Sequence, residues 1–321
     1  MNNKILLLSG DPYSINSELI FKTWKKLNKR TRKKIFLISN YELIKNQFKK
    51  LKFPMKIIKV KNLSEDVKSN YLKIINLDIN FVNPFDISKK NRSEFVLKCL
   101  NKAHNLALRK DVAGIINCAI DKKILEKDRT GVTEYLASKC NVKNDQEVMM
   151  IRNKYLSVVP ITTHIDIKQI SNKLSSKKIV NKIKTIETWF KINLEKKVRI
   201  GILGLNPHNA ELRKNSEERR IIIPAIKRLK ALKSNVKGPL VSDTLFINDY
   251  KKFDVIVGMF HDQVLSPFKA IFKFNAINIT LGLKYLRVSP DHGTAIDLIG
   301  KNKANIESLL ECINFISKFG K

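Results

Sequence analysis

The chain lacks any run of about 18 uncharged apolar residues, so no membrane-spanning helix is expected. It has only four cysteines, Cys99, Cys118, Cys140 and Cys312, and none of them are paired at CxxC spacing. A zinc ribbon or dithiol redox centre needs that spacing, so free thiols in a reducing compartment are the expectation. Repeats, low-complexity tracts and Gly/Ser hinges are also missing, which leaves domain boundaries soft. The opening MNNKILLLSGDP lacks the length and small-residue cleavage site of a secretion signal. It reads as a first strand, and a cytoplasmic location is expected.

Acidic residues are scarce as well: 29 Asp and Glu face 62 Lys and Arg, for a formal charge of +33. Such a charge is a mark of nucleic-acid binders. Here the lysines are spread along the chain, as in KTWKKLNKRTRKK and SNKLSSKK, and Lys, Asn and Ile are all abundant. That is a compositional bias rather than a dedicated patch. No RNA-binding aromatic motif, zinc finger or helix-turn-helix signature accompanies it, so no specific nucleic-acid partner is expected. The remaining consequence is a field that draws in small anions such as phosphates.

What is present is an α/β pattern over 321 residues, of which 43% are hydrophobic, enough for two lobes. Strands are predicted over 4–9, 34–39, 56–60, 71–77, 113–118, 198–204, 253–259 and 276–280. Helices are predicted over 17–27, 41–51, 93–110, 167–194, 217–232 and 305–319, and 146–160 reads as paired strands. Strands alternating with helices argue for a mostly parallel sheet covered by helices.

Five histidines occur, and three follow closely on apolar runs. His164 stands in VVPITTHID, His208 in GILGLNPHNAE and His261 in GMFHDQ. The carboxyl ends of strands are where α/β proteins place their chemistry. Three imidazoles there suit a metal site or an acid/base site. His261, Asp262, Lys269, Asn278, Arg287, Asp291 and His292 lie among apolar runs read as strand-like. His104 is expected to serve surface or core packing, and His292 to be structural, near a helix N-terminus. Lys122 in CAIDKKIL is weighed between a functional lysine and a solvated side chain.

Several blocks in order carry a resemblance to a known family. They are SGDP (Ser9–Pro12) with Glu18, TGVTE (Thr130–Glu134), TTHI (Thr162–Ile165) and GLNPHNAE (Gly204–Glu211). KGPLVSDTLF (Lys237–Phe246), FHDQVLSPFK (Phe260–Lys269), NITLGL (Asn278–Leu283) and DHGTA (Asp291–Ala295) complete the set. Over essentially its whole length the chain resembles the 4-hydroxythreonine-4-phosphate dehydrogenases of pyridoxal phosphate biosynthesis. The resemblance implies an isocitrate/isopropylmalate dehydrogenase-like fold, with two α/β/α lobes around a central cleft. The lobes are expected over 1–128 plus about 284–321, and over about 129–283. The second is expected to carry the dimer interface and most of the site.

The resemblance further implies a homodimer that uses NAD or NADP and one divalent ion per site, Zn, Mg, Mn or Co. The ion's ligands would be His164, His208 and His261, in a site shared between subunits. Substrate binding is carried over to Thr133, Lys269, Asn278 and Arg287. Asp243 and Asp262 are expected to orient imidazoles or take a proton. The implied substrate is 4-phosphooxy-L-threonine. The alternatives are threonate or erythronate 4-phosphate, or a binding role for a catalytically weakened homologue. No residue is assigned to the cofactor.

Three features depart from the family pattern. Val132 stands where the family has a substrate-binding histidine. GDPYSINSE keeps only Gly10 of a glycine-rich turn, and HNAELRKNSEE replaces a glycine-rich loop. Side chains there are expected to restrict positive φ and close backbone approach.

Overall fold

A computed structural model describes residues 4–125, 131–143, 145–273 and 275–319. The chain divides into two compact units, Met1–Cys140 with Leu283–Lys321, and Asn141–Gly282.

The first unit opens with β1 (Lys4–Leu8), α1 (Asn16–Lys26), α2 (Lys29–Lys34), β2 (Ile35–Ser39) and α3 (Tyr41–Lys50). It continues through β3 (Ile57–Val60), β4 (Leu72–Asn76), α4 (Lys89–Ala107), β5 (Val112–Asn117) and α5 (Val132–Lys139). The second unit contains β6 (Val148–Arg152), β7 (Ser157–Pro160), α6 (Ile170–Lys173), α7 (Ser176–Leu194) and β8 (Ile200–Leu203). Then come α8 (Ile223–Ala231), β9 (Val236–Leu240), α9 (Ser242–Leu245), β10 (Val255–Gly258), α10 (His261–Phe272) and β11 (Ile277–Leu281). The chain returns to the first unit for β12 (Arg287–Pro290) and α11 (Glu307–Phe319).

In the first unit the strand order is β3-β4-β2-β1-β5-β12, and every pairing is parallel. Strands such as KILLL and IFLIS are apolar on consecutive positions because helices cover both faces. The α4 helix lays Phe95, Val96, Cys99, Leu100, Ala103 and Ala107 against Leu6, Leu8, Phe36, Ile38 and Ile115. Its start is fixed by Ser88, whose hydroxyl accepts from the Asn91 N–H. Asn40 caps α3 and Asn28 caps α2 in the same way.

In the second unit the order is β11-β6-β7-β10-β8-β9. The β11–β6 and β6–β7 pairs are antiparallel, and the run β7-β10-β8-β9 is parallel. The paired strands expected over 146–160 are β6 and β7. Val158, Ile256, Val264, Leu265 and Phe268 form its core with Leu245 and Phe253.

Two expectations shift. The boundary lies at Cys140 rather than near 128, because α5 buries Leu136 and packs Val132 and Tyr135 against the first unit's core. Thr133 therefore belongs to the first unit. FHDQVLSPFK is a helix rather than a strand-like run: Val264, Leu265 and Phe268 are buried at helical spacing. Its Pro267 gives up one intrahelical hydrogen bond within this amphipathic turn. Among the described residues no helix is long and apolar enough to cross a membrane.

The parallel strands of the second unit are tied at their amino ends by Asp254. Its carboxylate accepts from the Arg199 N–H (2.9 Å), the Arg199 Nε (3.2 Å) and Nη2 (3.1 Å), and the Lys196 Nζ (2.7 Å). Burial pushes this carboxyl up, but the Arg199 and Lys196 bonds outweigh it and bring it to about 2. A depressed carboxyl stabilises the fold above its unfolded value of about 3.9 and loses that contribution as pH falls toward the folded value. Asp254→Asn is expected to cost about 1–2 kcal/mol at neutral pH. In urea denaturation the gap to the parent should begin to close below about pH 4. A gap independent of pH would show that the charge of Asp254 is not what ties the strands.

Candidate active site

Four parallel strands of the second unit end at one level. Gly258 of β10 is in register with Pro160 of β7, Val257 with Ile202 of β8, and Leu203 of β8 with Leu240 of β9. The segments leaving these carboxyl ends carry His164 after β7, His261 after β10, His208 after β8 and Asp243 after β9. The first two are locked together by Thr162. It is 4% exposed, and its hydroxyl and N–H both donate to the Met259 carbonyl, at 2.7 and 3.1 Å. The His164 and His261 rings lie 5.5 Å apart, centroid to centroid, and are tilted by 41°. His261 opens α10, and its Nδ1 is 2.6 Å from Asp262 Oδ1. With Nδ1 engaged by a carboxylate, Nε2 is the nitrogen left to bind an ion. Gln263 joins β10 to β8: its Oε1 accepts from the Met259 N–H and its Nε2 donates to the Gly204 carbonyl, both at 2.7 Å.

The loop bearing His208 hangs on a buried acid. Glu218 is fully buried and accepts from the N–H groups of Leu205 and Asn206, both at 2.8 Å, and from Asn206 Nδ2. Burial raises the Glu218 carboxyl, but the bonds from Asn206 and Leu205 outweigh it and hold the group below the usual range. Beyond this anchor His208, Asn209, Ala210, Glu211 and Leu212 all have positive φ, between 44° and 57°. They form a left-handed turn built without glycine, which costs roughly 1–2 kcal/mol per residue. Positive φ was expected to be restricted here, and the loop adopts it regardless. Buried Ala210, the Asn209 Nδ2 bond to the Pro239 carbonyl and the Arg213 Nε bond to the Ala210 carbonyl hold it. Gly204 makes room for the turn, since a Cβ there would collide with Asn209 Oδ1. The turn leaves His208 exposed. Among the described residues no three His, Cys, Asp or Glu side chains gather to hold an ion, so one chain brings together His164 and His261 without His208.

Of the remaining residues in this unit, Asp243 is exposed in the first turn of α9, and Lys269 is half-buried on α10. Asn278 lies on β11, and its Oδ1 is buried without a hydrogen-bond partner among the described residues.

The first unit holds a second cluster. Arg287, 3% exposed, donates from Nε to Asn117 Oδ1 at 2.6 Å and from Nη1 to Thr133 Oγ1 at 3.4 Å. Burial pushes the guanidinium down to about 10, which leaves it charged at neutral pH. A buried cation beside a threonine at the start of a helix is suited to an anion. Val132 packs against the apolar core that contains Leu136. In the turn after β1, Gly10 has a φ of 72°, and a Cβ there would strike the Ala119 and Cys118 carbonyls. Asp11, 1% exposed, pairs with Arg92 at 3.0 Å. His292 bonds through Nδ1 to the Gly293 carbonyl, ahead of the short 3-10 turn Ile296–Leu298. Thr130 and the Lys122 side chain lie outside the described residues.

Asn117, Gln263 and Glu218 were not singled out from the sequence. Each acts by supporting a neighbour, and no spacing rule marks such a role.

Comparison with known proteins places these clusters in context. A family model described as pyridoxal phosphate biosynthetic protein PdxA matches residues 31–316. The 4-hydroxythreonine-4-phosphate dehydrogenase of Sulfurihydrogenibium sp. (strain YO3AOP1) is 36% identical over 317 residues, 97% of this chain and 96% of that protein. The D-threonate 4-phosphate dehydrogenase of Salmonella typhimurium (strain LT2) is 34% identical over 221 residues, 67% of each. The crystal structure of 4-hydroxythreonine-4-phosphate dehydrogenase from Klebsiella pneumoniae superposes with a TM-score of 0.87 at 26% identity, covering 99% of this chain and 100% of that one.

The left-handed turn yields a direct test. Glu211 is exposed, and replacing it with glycine removes the Cβ penalty at its φ of 44°. Glu211→Gly is expected to stabilise the protein by about 1 kcal/mol in urea denaturation, whereas glycine in an ordinary right-handed helix destabilises. A loss of stability would show that the turn is not left-handed.

Proposed function

The chain belongs to the PdxA family of pyridoxal phosphate biosynthetic proteins and is a dehydrogenase, and we propose that it oxidises 4-phosphooxy-L-threonine at a metal site built on its strand-end histidines. The product is 2-amino-3-oxo-4-phosphooxybutanoate, which decarboxylates to 3-amino-2-oxopropyl phosphate. The fold is the isocitrate/isopropylmalate dehydrogenase-like one. The observation that carries the site is the pair of imidazoles, His164 and His261, on adjacent parallel strand ends with a carboxylate on His261 Nδ1.

That donor set fits a divalent ion. His164, His261 and His208 would hold it, and three neutral imidazoles leave positions open for substrate. A bound divalent ion supplies Lewis acidity toward the substrate hydroxyl, and a bound NAD or NADP supplies the hydride acceptor. A homodimer in which the site is shared between subunits accounts for the separation of His208 within one chain. A cytoplasmic location goes with this reading.

The side chains divide the remaining work. Asp262 fixes the orientation of His261 through Nδ1. Asp243, exposed at the start of α9, is the carboxylate assigned to accept the hydroxyl proton. Arg287 and Thr133, with Lys269, take the phosphate and carboxylate of the substrate. Asn278 contributes the buried Oδ1, an acceptor suited to a substrate N–H or O–H.

Val132 favours a second reading. Its side chain packs on apolar core and offers no donor to a ligand, which leaves D-threonate 4-phosphate, the substrate in the name of the Salmonella relative, as the alternative.

The test is an assay of reduced nicotinamide formation with Zn, Mg, Mn or Co and a panel of phosphorylated hydroxy acids. Turnover of 4-phosphooxy-L-threonine is expected. Turnover of threonate 4-phosphate alone would move the substrate, and no turnover with intact metal binding would refute the enzyme. Asp262→Asn is expected to weaken metal binding by about 10–100-fold in equilibrium dialysis. Unchanged affinity would remove Asp262 from its role behind His261.

A further inference from the structure

His104 is not an isolated core residue. It lies on α4 at 8% exposure, with Nδ1 2.9 Å from the Tyr285 hydroxyl and 4.0 Å from Cys140 Sγ. The His104 and Tyr285 rings meet edge to face, 5.7 Å apart at 68°. All three residues belong to the first unit, and the positions of the two partners along the chain give the cluster its meaning. Cys140 is the C-cap of α5, whose first turn carries Thr133. Tyr285 lies just ahead of β12, which opens on Arg287.

We propose that the His104–Tyr285–Cys140 cluster is a positioning device that sets the spacing between Thr133 and Arg287, the two anion-binding groups of this unit. The α4 helix grips α5 at two points, through Cys140 and through Asn101, whose Oδ1 accepts from the Tyr135 hydroxyl at 2.8 Å. It grips the approach to β12 through Tyr285. The Ile115 N–H bonds the Leu286 carbonyl at 2.9 Å and fixes that approach along β5. The Tyr285 phenol then fixes its rotation. With both carriers pinned to one helix, Arg287 Nη1 rests 3.4 Å from Thr133 Oγ1.

The protonation states support a hydrogen bond between two neutral groups. Burial holds the Tyr285 phenol well above its usual range, so it remains a donor. Burial, with Lys139 and Lys284 nearby, holds the His104 imidazole below its usual range, so it remains neutral. Phenol and imidazole are then both neutral, and the bond between Tyr285 and Nδ1 is made by one proton whose side follows the ring tautomer. A buried polar contact is tolerated only in the geometry that satisfies it, which is how it specifies a position where apolar packing would slide.

The proposal rests on the reading of Thr133 and Arg287 as substrate-binding groups, and the test separates the two. Steady-state kinetics on 4-phosphooxy-L-threonine and calorimetric binding of inorganic phosphate are measured for Tyr285→Phe, His104→Leu, His104→Asn and Arg287→Lys. Tyr285→Phe removes one oxygen and keeps the ring. It and His104→Leu are expected to raise KM and weaken phosphate binding about five- to tenfold, the effect of one lost hydrogen bond, with kcat changed less than about twofold. His104→Asn places an amide group near the position of Nδ1 and is expected to restore both values. If Arg287→Lys alters neither KM nor phosphate binding, the binding role of Arg287 fails, and the positioning role with it. If Arg287→Lys alters them and Tyr285→Phe does not, the binding role stands and the positioning role is overturned. An equal fall in kcat and thermal stability without a KM change, unrescued by His104→Asn, also overturns it, because that is the mark of a merely structural contact.

Discussion

The parallel hydrogen-bond ladder through β7, β10, β8 and β9 is the constraint on which the second unit depends. Its register makes the strands end together, so the segments leaving them begin from one level. Chemistry placed on those segments converges without any long-range design of the loops. His164 and His261 are neighbours because Pro160 and Gly258 are, and the Thr162 bonds to the Met259 carbonyl carry the ladder's order one step beyond the sheet. The antiparallel pair β6–β7 plays no such part, because its strands run in opposite directions and end on opposite sides.

Order at the strand ends has a local cost. The His208 turn bends the wrong way for five L-residues, and the surrounding structure over-determines it. Glu218, Gln263 and Asn209 act together: the first holds the amides that enter the turn, the second holds the Gly204 carbonyl, and the third reaches the Pro239 carbonyl. The first unit solves its problem differently. A buried guanidinium is held by Asn117 and Thr133, and the segments that carry Thr133 and Arg287 are tied to one long helix.

The strand-end histidines were legible in the sequence because apolar runs such as VVPI and GILG mark strands, and whatever follows them lies at a carboxyl end. The antiparallel pair around residues 146–160 was legible for the same reason. The helix α10 was not, since Val264, Leu265, Phe268 and Phe272 are dense enough to imitate a strand and Pro267 argues against a helix. The bounds of strand β12 were not predicted because RVSP lacks an apolar run, and Arg287 is buried by Asn117 and Thr133 rather than by hydrophobicity. Glu218 stands in the charged run SEERR and looks solvated; only the donors of Leu205 and Asn206 that it meets in space explain its burial. The turn at His208 was misjudged because glycine frequency reports what is comfortable, not what surrounding contacts can enforce. His104 was expected to be packing, and its polar partners come from segments remote in sequence that no local pattern connects.

The central claim is that the strand-end histidines are the ligands of one divalent ion. Anomalous diffraction from crystals grown with zinc or manganese tests it most directly. The account predicts an anomalous peak bound by His164 and His261 of one chain, with His208 completing the set from within the dimer. A peak on other residues, or none in crystals of protein that turns over substrate, would contradict it.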